Sequence, residues 1–153
     1  MNIAMEPIGT VVGGRGEPID DHWADVEATI VLDPERVAPD AAAGLDEFSH
    51  VEVVFVFDRV AEGDVVTGAR HPRGNPAWPM VGILAQRARM RPNRIGVTVC
   101  ELLSVAGREL EVRGLDAADG SPVLDVKPYM AEFGPRGVTR QPAWSSELMG
   151  DYW

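Results

Sequence analysis

The run Val97–Val105 (VTVCELLSV), the tripeptide Ala106-Gly107-Arg108 and the run Glu109–Leu115 (ELEVRGL) decide how this chain folds. Both runs are rich in β-branched and aliphatic residues, which is strand composition, and the glycine between them suits a tight hairpin turn. Working outward, Val26–Leu32 (VEATIVL) and Val51–Phe57 (VEVVFVF) have the same character, and Ile8–Val12 and Val123–Val126 are shorter candidate strands. Helical patterns are few. Pro39–Leu45 predicts one short turn or helix and Ser145–Met149 another near the C-terminus. Most of the 12 Pro and 16 Gly fall between the apolar runs, where they mark turns. The expected class is mainly β: a small antiparallel barrel or strongly curled sheet with one or two short helices. With no internal repeat or linker, residues 1–153 read as one domain with a C-terminal tail from about residue 134. The irregular stretch Val60–Pro79 is too long for a bare connection, and loops of that kind usually carry function.

Charge divides the chain unevenly. It holds 24 Asp and Glu against 14 Lys and Arg, a net charge of -10 that opposes general binding to polyanions or membrane surfaces. Yet Val65–Cys100 contains six arginines and no acid, leaving -16 on the other 117 residues. Lys127 is the only lysine. Codon bias accounts for a surplus of Arg over Lys but not for this segregation, so a local anion site is expected there. The N-terminus MNIAMEPIGT has neither the basic start nor the apolar block of a signal peptide, and no apolar run approaches membrane-spanning length. A lone Cys100 excludes an internal disulfide. A cytoplasmic location is expected.

Several chemistries lack their parts. The sequence has no G-x-S-x-G, no G-x-x-x-x-G-K-[ST] and no G-x-G-x-x-G after a strand. His22, His50 and His71 lie far apart, so no metal site is expected. Ser49-His50 reads as a polar pair at the start of a strand rather than a nucleophile and its base. Two segments carry the remaining signal. In GILAQRARMRPNRIG (82–96), Arg87, Arg89 and Arg91 would share one face if the backbone were extended, with Pro92 and Asn93 shaping the turn that follows. In GLDAADGSPVLDVKPY (114–129), Asp119-Gly120-Ser121 marks a turn, and Asp125, Lys127 and Tyr129 alternate onto a common face. That register suits either a catalytic group or an exposed ion pair between Asp125 and Lys127.

Together with Pro7-Ile8-Gly9, Gly44-Leu45 and Phe48-Ser49-His50, the patterns R-x-x-x-R-P-N-x-I-G at Arg87–Gly96 and L-D-x-x-D-G-S-P-V-x-D-V-K-P-Y at Leu115–Tyr129 resemble the TrmO-like (TsaA-like) family. The resemblance runs from about Ile3 to Phe133. It implies a small antiparallel β-barrel that usually dimerises and binds S-adenosylmethionine outside any Rossmann fold. It also implies methyl transfer to N6 of a threonylcarbamoyladenosine beside the anticodon of tRNA. Many bacterial members carry a further C-terminal region, about the size of a small domain, that has no counterpart in this sequence.

By the same resemblance, Arg87 falls on the family's arginine in the cofactor site, Val97 on a residue lining it, and Leu115, Asp119, Gly120 and Ser121 on a turn that touches it. Asp58-Arg59 stand where the family typically has His and a polar residue. Gly13–Pro18 and Pro18-Ile19-Asp20 replace a Pro-Arg-Gln loop, and Arg89 and Arg94 stand where many members have Pro. Arg89, Arg91, Asn93 and Arg94 are the expected nucleic-acid contacts. For catalysis the expectation is Asp125 as base, Lys127 as its electrostatic partner and Tyr129 as a stacking or hydrogen-bonding group. A methyltransferase acting on a small molecule and a non-catalytic S-adenosylmethionine-binding protein are the alternatives. Trp144, Tyr152 and Trp153 are costly to leave in water, so the tail should pack on the barrel or on a partner subunit.

Overall fold

The computed structural model describes all 153 residues. Eight strands form: β1 (Gly9–Gly13), β2 (Glu27–Leu32), β3 (His50–Val56), β4 (Ala69–Arg70), β5 (Val81–Gly82), β6 (Ile95–Ala106), β7 (Glu109–Arg113) and β8 (Pro122–Pro128). Six of them close into a barrel in the order β1-β2-β7-β6-β3-β8, with β1 pairing back onto β8. Every pairing in the barrel is antiparallel. β4 and β5 make a separate two-stranded ribbon. The helix α1 (Ala143–Leu148) lies in the tail, while residues 39–44 form turns followed by a 3-10 turn at Leu45–Glu47.

Alternation explains why these runs become barrel strands. Ala28, Ile30 and Leu32 on β2, Val51, Val53 and Phe55 on β3, Cys100 and Leu102 on β6, and Leu110 and Val112 on β7 all point inward and are buried in one core. The expected hairpin forms with a two-residue turn, Ala106 pairing with Glu109 across Gly107-Arg108. Gly107 takes a φ of 62°, which a turn with glycine at its first central position requires. β6 is long because it serves two partners. Ile95–Glu101 pairs with β3, and Glu101–Ala106 pairs with β7 past a bulge between Leu102 and Ser104.

Antiparallel closure sorts the connections between two ends. The turn 107–108 and the connection 33–49 lie at one end. The connections 14–26, 57–94 and 114–121 all lie at the other, so nearly every residue singled out in a loop reaches one rim of the barrel.

One packing contact near that rim fixes the β3–β6 register. Phe55 is paired with Gly96 and is 1% exposed, and a Cβ added to Gly96 would come within 2.7 Å of the ring atom Cε2. Only glycine leaves room for the ring. Gly96→Ala should therefore lower the unfolding free energy by about 1–3 kcal/mol, the usual cost of overpacking a closed core. Urea denaturation would check this, and an unchanged midpoint would show that the ring has space to move.

Candidate functional site

The rim is knitted together by side chains that bond to backbone. Arg59, just past β3, donates to the carbonyls of Gly16 and Asp119, the latter at 2.6 Å. The Asp119 carboxylate accepts the Gly13 N–H at 2.8 Å, and its own N–H donates to the Arg15 carbonyl. Arg15 reaches the carbonyls of Asp21 and His22 and stacks its guanidinium 4.5 Å above the Trp23 ring. Arg59, Asp119 and Gly120 thus meet at one place although 60 residues separate the first two. Leu115 and Ser121 are buried directly beneath, whereas Asp58 is exposed and bonds to no other side chain.

The arginine segment corrects the expectation of an extended row. Residues 87–91 are irregular, flanked by 3-10 turns at Ile83–Ala85 and Pro92–Arg94, and Asn93 and Arg94 take positive φ values of 62° and 53°. The guanidinium groups therefore diverge. Arg87 donates to the Val97 carbonyl at 2.6 Å, Arg89 to Pro18 at 2.8 Å, Arg91 to Gln86 at 2.8 Å and Arg94 to Val60 at 2.6 Å. The reason is the length of the loop: 38 residues with little sheet pairing leave carbonyls without partners, and the arginines supply donors. Each guanidinium has five N–H groups, so a single carbonyl does not exhaust it. Arg87 and Asn93 remain exposed, while Arg89, Arg91 and Arg94 are half-buried.

Asp125 and Lys127 lie on the outer wall of β8 as an ion pair of 2.5 Å. Hydrogen bonding to Asp125, and its charge, raise the Lys127 pKa above the ordinary lysine value. The register connects this pair to Arg87: Val54 on β3 is flanked by Val97 on β6 and Asp125 on β8. Two strand spacings, about 10 Å, therefore separate Asp125 from the strand that Arg87 grips. Tyr129 stands apart. Its N–H bonds to the His50 carbonyl at the end of the barrel away from the rim. Ser49 and His50 bond to each other at 2.7 Å, exposed at the start of β3.

A second cluster carries no motif of its own. The Thr98 hydroxyl donates to one oxygen of Asp116 and the Tyr152 hydroxyl to the other. Tyr152 is half-buried against the rim. That burial, then the charge and hydrogen bond of Asp116, push its pKa up, with Arg87 and Arg73 opposing. Burial and the Asp116 charge also push the neighbouring Cys100 thiol up to about 12. Arg73 holds Asp21 through two bonds of 2.8 and 3.2 Å. The only sequence signals for this cluster are the Asp of the L-D-x-x-D-G pattern and the aromatic pair ending the tail. No group of three or more His, Cys, Asp or Glu comes together in a way that would hold a metal ion, and no helix is long and apolar enough to cross a membrane.

Fold and rim define a small closed antiparallel barrel whose arginine-rich loops gather at one end. Residues 14–134 match the tRNA-methyltransferase O N-terminal domain, and the chain belongs to that family. It is 41% identical over 143 residues to the tRNA (adenine(37)-N6)-methyltransferase of Mus musculus, covering 86% of this chain but 32% of that protein. It is 37% identical over 141 residues to a probable S-adenosyl-L-methionine-binding protein of Methanothermobacter thermautotrophicus, covering 90% of this chain and 97% of that protein. Among solved structures, TrmO from Pseudomonas aeruginosa superimposes with a TM-score of 0.74 at 28% identity, over 92% of this chain and 61% of that one. The chain thus spans about a third of the mouse relative and nearly all of the archaeal one.

Buried Cys100 and half-buried Tyr152 set a pH dependence. Cys100 and Tyr152 keep their protons in the folded chain, whereas in the unfolded chain they ionise near their ordinary values of 9.0 and 10.0. Their raised pKa values make stability complete below about pH 9 and erode it as pH climbs, for Cys100 through about 12. The urea midpoint should fall between pH 7.5 and pH 10.5, and a constant or rising midpoint would contradict the burial of both groups.

Proposed function

We propose that this chain binds S-adenosylmethionine at the loop rim and transfers its methyl group to an acceptor presented on the adjoining outer wall of β6, β3 and β8. The acceptor we favour is N6 of threonylcarbamoyladenosine next to the anticodon of tRNA. Membership of the family is the observation that carries the reading, and the meeting of Arg59, Asp119 and Gly120 at the rim supports it.

The residues present suit that cofactor. Arg87 is exposed and retains free N–H groups for a carboxylate, and Asp58 is an exposed carboxylate without a partner, suited to an ammonium or a ribose diol. Val97 offers apolar contact, the buried Leu115 anchors its loop in the core, and Asp119 and Gly120, with Ser121 buried behind them, present a turn that Arg59 holds in place. When bound, the cofactor supplies an electrophilic methyl group on a sulfonium. The task left to the protein is positioning and control of the acceptor's proton. Asp125 takes that proton in our reading, Lys127 supports it electrostatically, and Tyr129 contacts a distal part of the acceptor. Arg89, Arg91, Asn93 and Arg94 serve as a short phosphate footprint through the donors not already spent on carbonyls. The chain works as a homodimer in this reading.

A second reading keeps the cofactor and replaces tRNA with a small molecule. It draws support from the near full-length match to a protein named only as binding S-adenosylmethionine, and from arginines already engaged with backbone.

Titration calorimetry with S-adenosylmethionine should show saturable binding that Arg87→Ala weakens at least tenfold. No heat with the wild-type chain would sink both readings. Asp125→Asn should bind the cofactor normally and lose 100-fold or more in turnover, and full turnover would remove Asp125 from the role of base. Nucleoside mass spectrometry of tRNA from a deletion strain separates the acceptors: loss of methylated threonylcarbamoyladenosine is expected, and an unchanged level would favour the small molecule. Affinity for tRNA should fall steeply with added salt, as several phosphate contacts demand.

A further inference from the structure

β8 ends at the side of the barrel away from the rim, where Pro128 pairs with Val51, yet Tyr152 bonds to Asp116 at the rim itself. The intervening chain must therefore run back along the barrel. This segment, residues 135–153, lies beyond the residues that match the family. It is fastened to all three loops of the rim. The N–H groups of His22 and Trp23 donate to the carbonyls of Asp151 and Tyr152, both at 2.9 Å, which ties it to loop 14–26. The Trp78 indole donates to Glu147 at 3.0 Å, which ties it to loop 57–94. The Tyr152 hydroxyl donates to Asp116, in loop 114–121.

We infer that the C-terminal segment is a strap that completes the ligand site, with Tyr152 as the residue that positions Asp116 at the rim. The inference rests on the cofactor reading above. Three features single out this contact from ordinary tail packing. Asp116 directly follows Leu115, and its other oxygen accepts from Thr98, which directly follows Val97, so the phenol clamps together the two strand ends proposed to line the cofactor. The first half of β6 has β3 on one side only, and the strap closes toward its open side, where Arg87 takes the Val97 carbonyl. Tyr152 is close enough to Arg87 and Arg73 to feel both charges, so it borders the most basic part of the rim. Trp153 stacks edge-on against it at 4.9 Å and holds the ring from outside. A carboxylate fixed by two hydroxyl donors keeps lone pairs for a ligand's N–H or O–H groups, an arrangement suited to the polar end of S-adenosylmethionine.

The strap makes affinity depend on a segment outside the matched domain. In the full chain, Tyr152→Phe removes one hydroxyl and should weaken S-adenosylmethionine binding fivefold or more by calorimetry. Hydrogen exchange supplies a readout that mere packing would not move: the His22 and Trp23 amides should gain protection when the wild-type chain is saturated with S-adenosylmethionine, and gain less in the variant. Glu147→Ala, on the exposed helix α1, loosens the strap without touching the barrel and should weaken binding two- to threefold, so the idea stays testable even if Tyr152→Phe fails to fold. Wild-type affinity in Glu147→Ala and in any folded Tyr152→Phe, or unchanged exchange at residues 22–23 on ligand addition, would overturn the strap while leaving the cofactor reading intact. A wild-type chain that binds no S-adenosylmethionine would instead overturn the cofactor reading and the strap with it.

Discussion

Everything in this molecule follows from closing six antiparallel strands into a barrel. Closure pairs most of the strand backbone, leaving the first half of β6 and the second half of β8 with a strand on one side only, and alternation fills the interior with Val, Ile, Leu and Phe55. Because each strand reverses its neighbour, the tight turn at Gly107 forces the long connections to the opposite rim. The rim is consequently the one place where extended loops, unpaired carbonyls and cationic side chains coincide.

That coincidence explains the arginines. In water-exposed loops a guanidinium is free to meet a ligand, but here most of them first serve the protein's own backbone, at Gly16, Pro18, Val60, Gln86, Val97 and Asp119. The two roles are compatible because one carbonyl uses a fraction of the fork. Fixing the cations in this way also lowers the entropic cost of binding an anion, since the side chains are ordered beforehand. The +6 segment inside an acidic chain is thus a scaffold for the rim before it is a footprint for anything else.

Much of the fold was legible in the sequence because alternating β-branched runs and a glycine turn are local signals. All six barrel strands fall within two residues of their expected bounds at both ends, and the short C-terminal helix forms where expected. The site was legible only in pieces. Arg59 reaches the Asp119-Gly120-Ser121 turn through the Asp119 carbonyl, whereas the row of Arg87, Arg89 and Arg91 does not form, because the alternation needs an extended backbone and a tight turn, closed by the Arg91 N–H on the Arg89 carbonyl, interrupts it. The cluster of Thr98, Asp116 and Tyr152 was invisible, since hydrogen bonds spanning 18 and 36 residues leave no spacing to read. Tyr129 lies just past the end of β8, at the barrel end away from the rim, where its N–H bonds to the His50 carbonyl.

The central claim is that a small ligand engages the rim where the three long loops meet. Amide chemical-shift mapping by NMR with S-adenosylmethionine tests it most directly. The account predicts that the perturbed amides fall in residues 14–26, 57–94 and 114–121, at the start of β6, and in the last residues of the tail. Perturbations gathered around the Gly107 turn and the 33–49 connection, or none at saturating ligand, would contradict it.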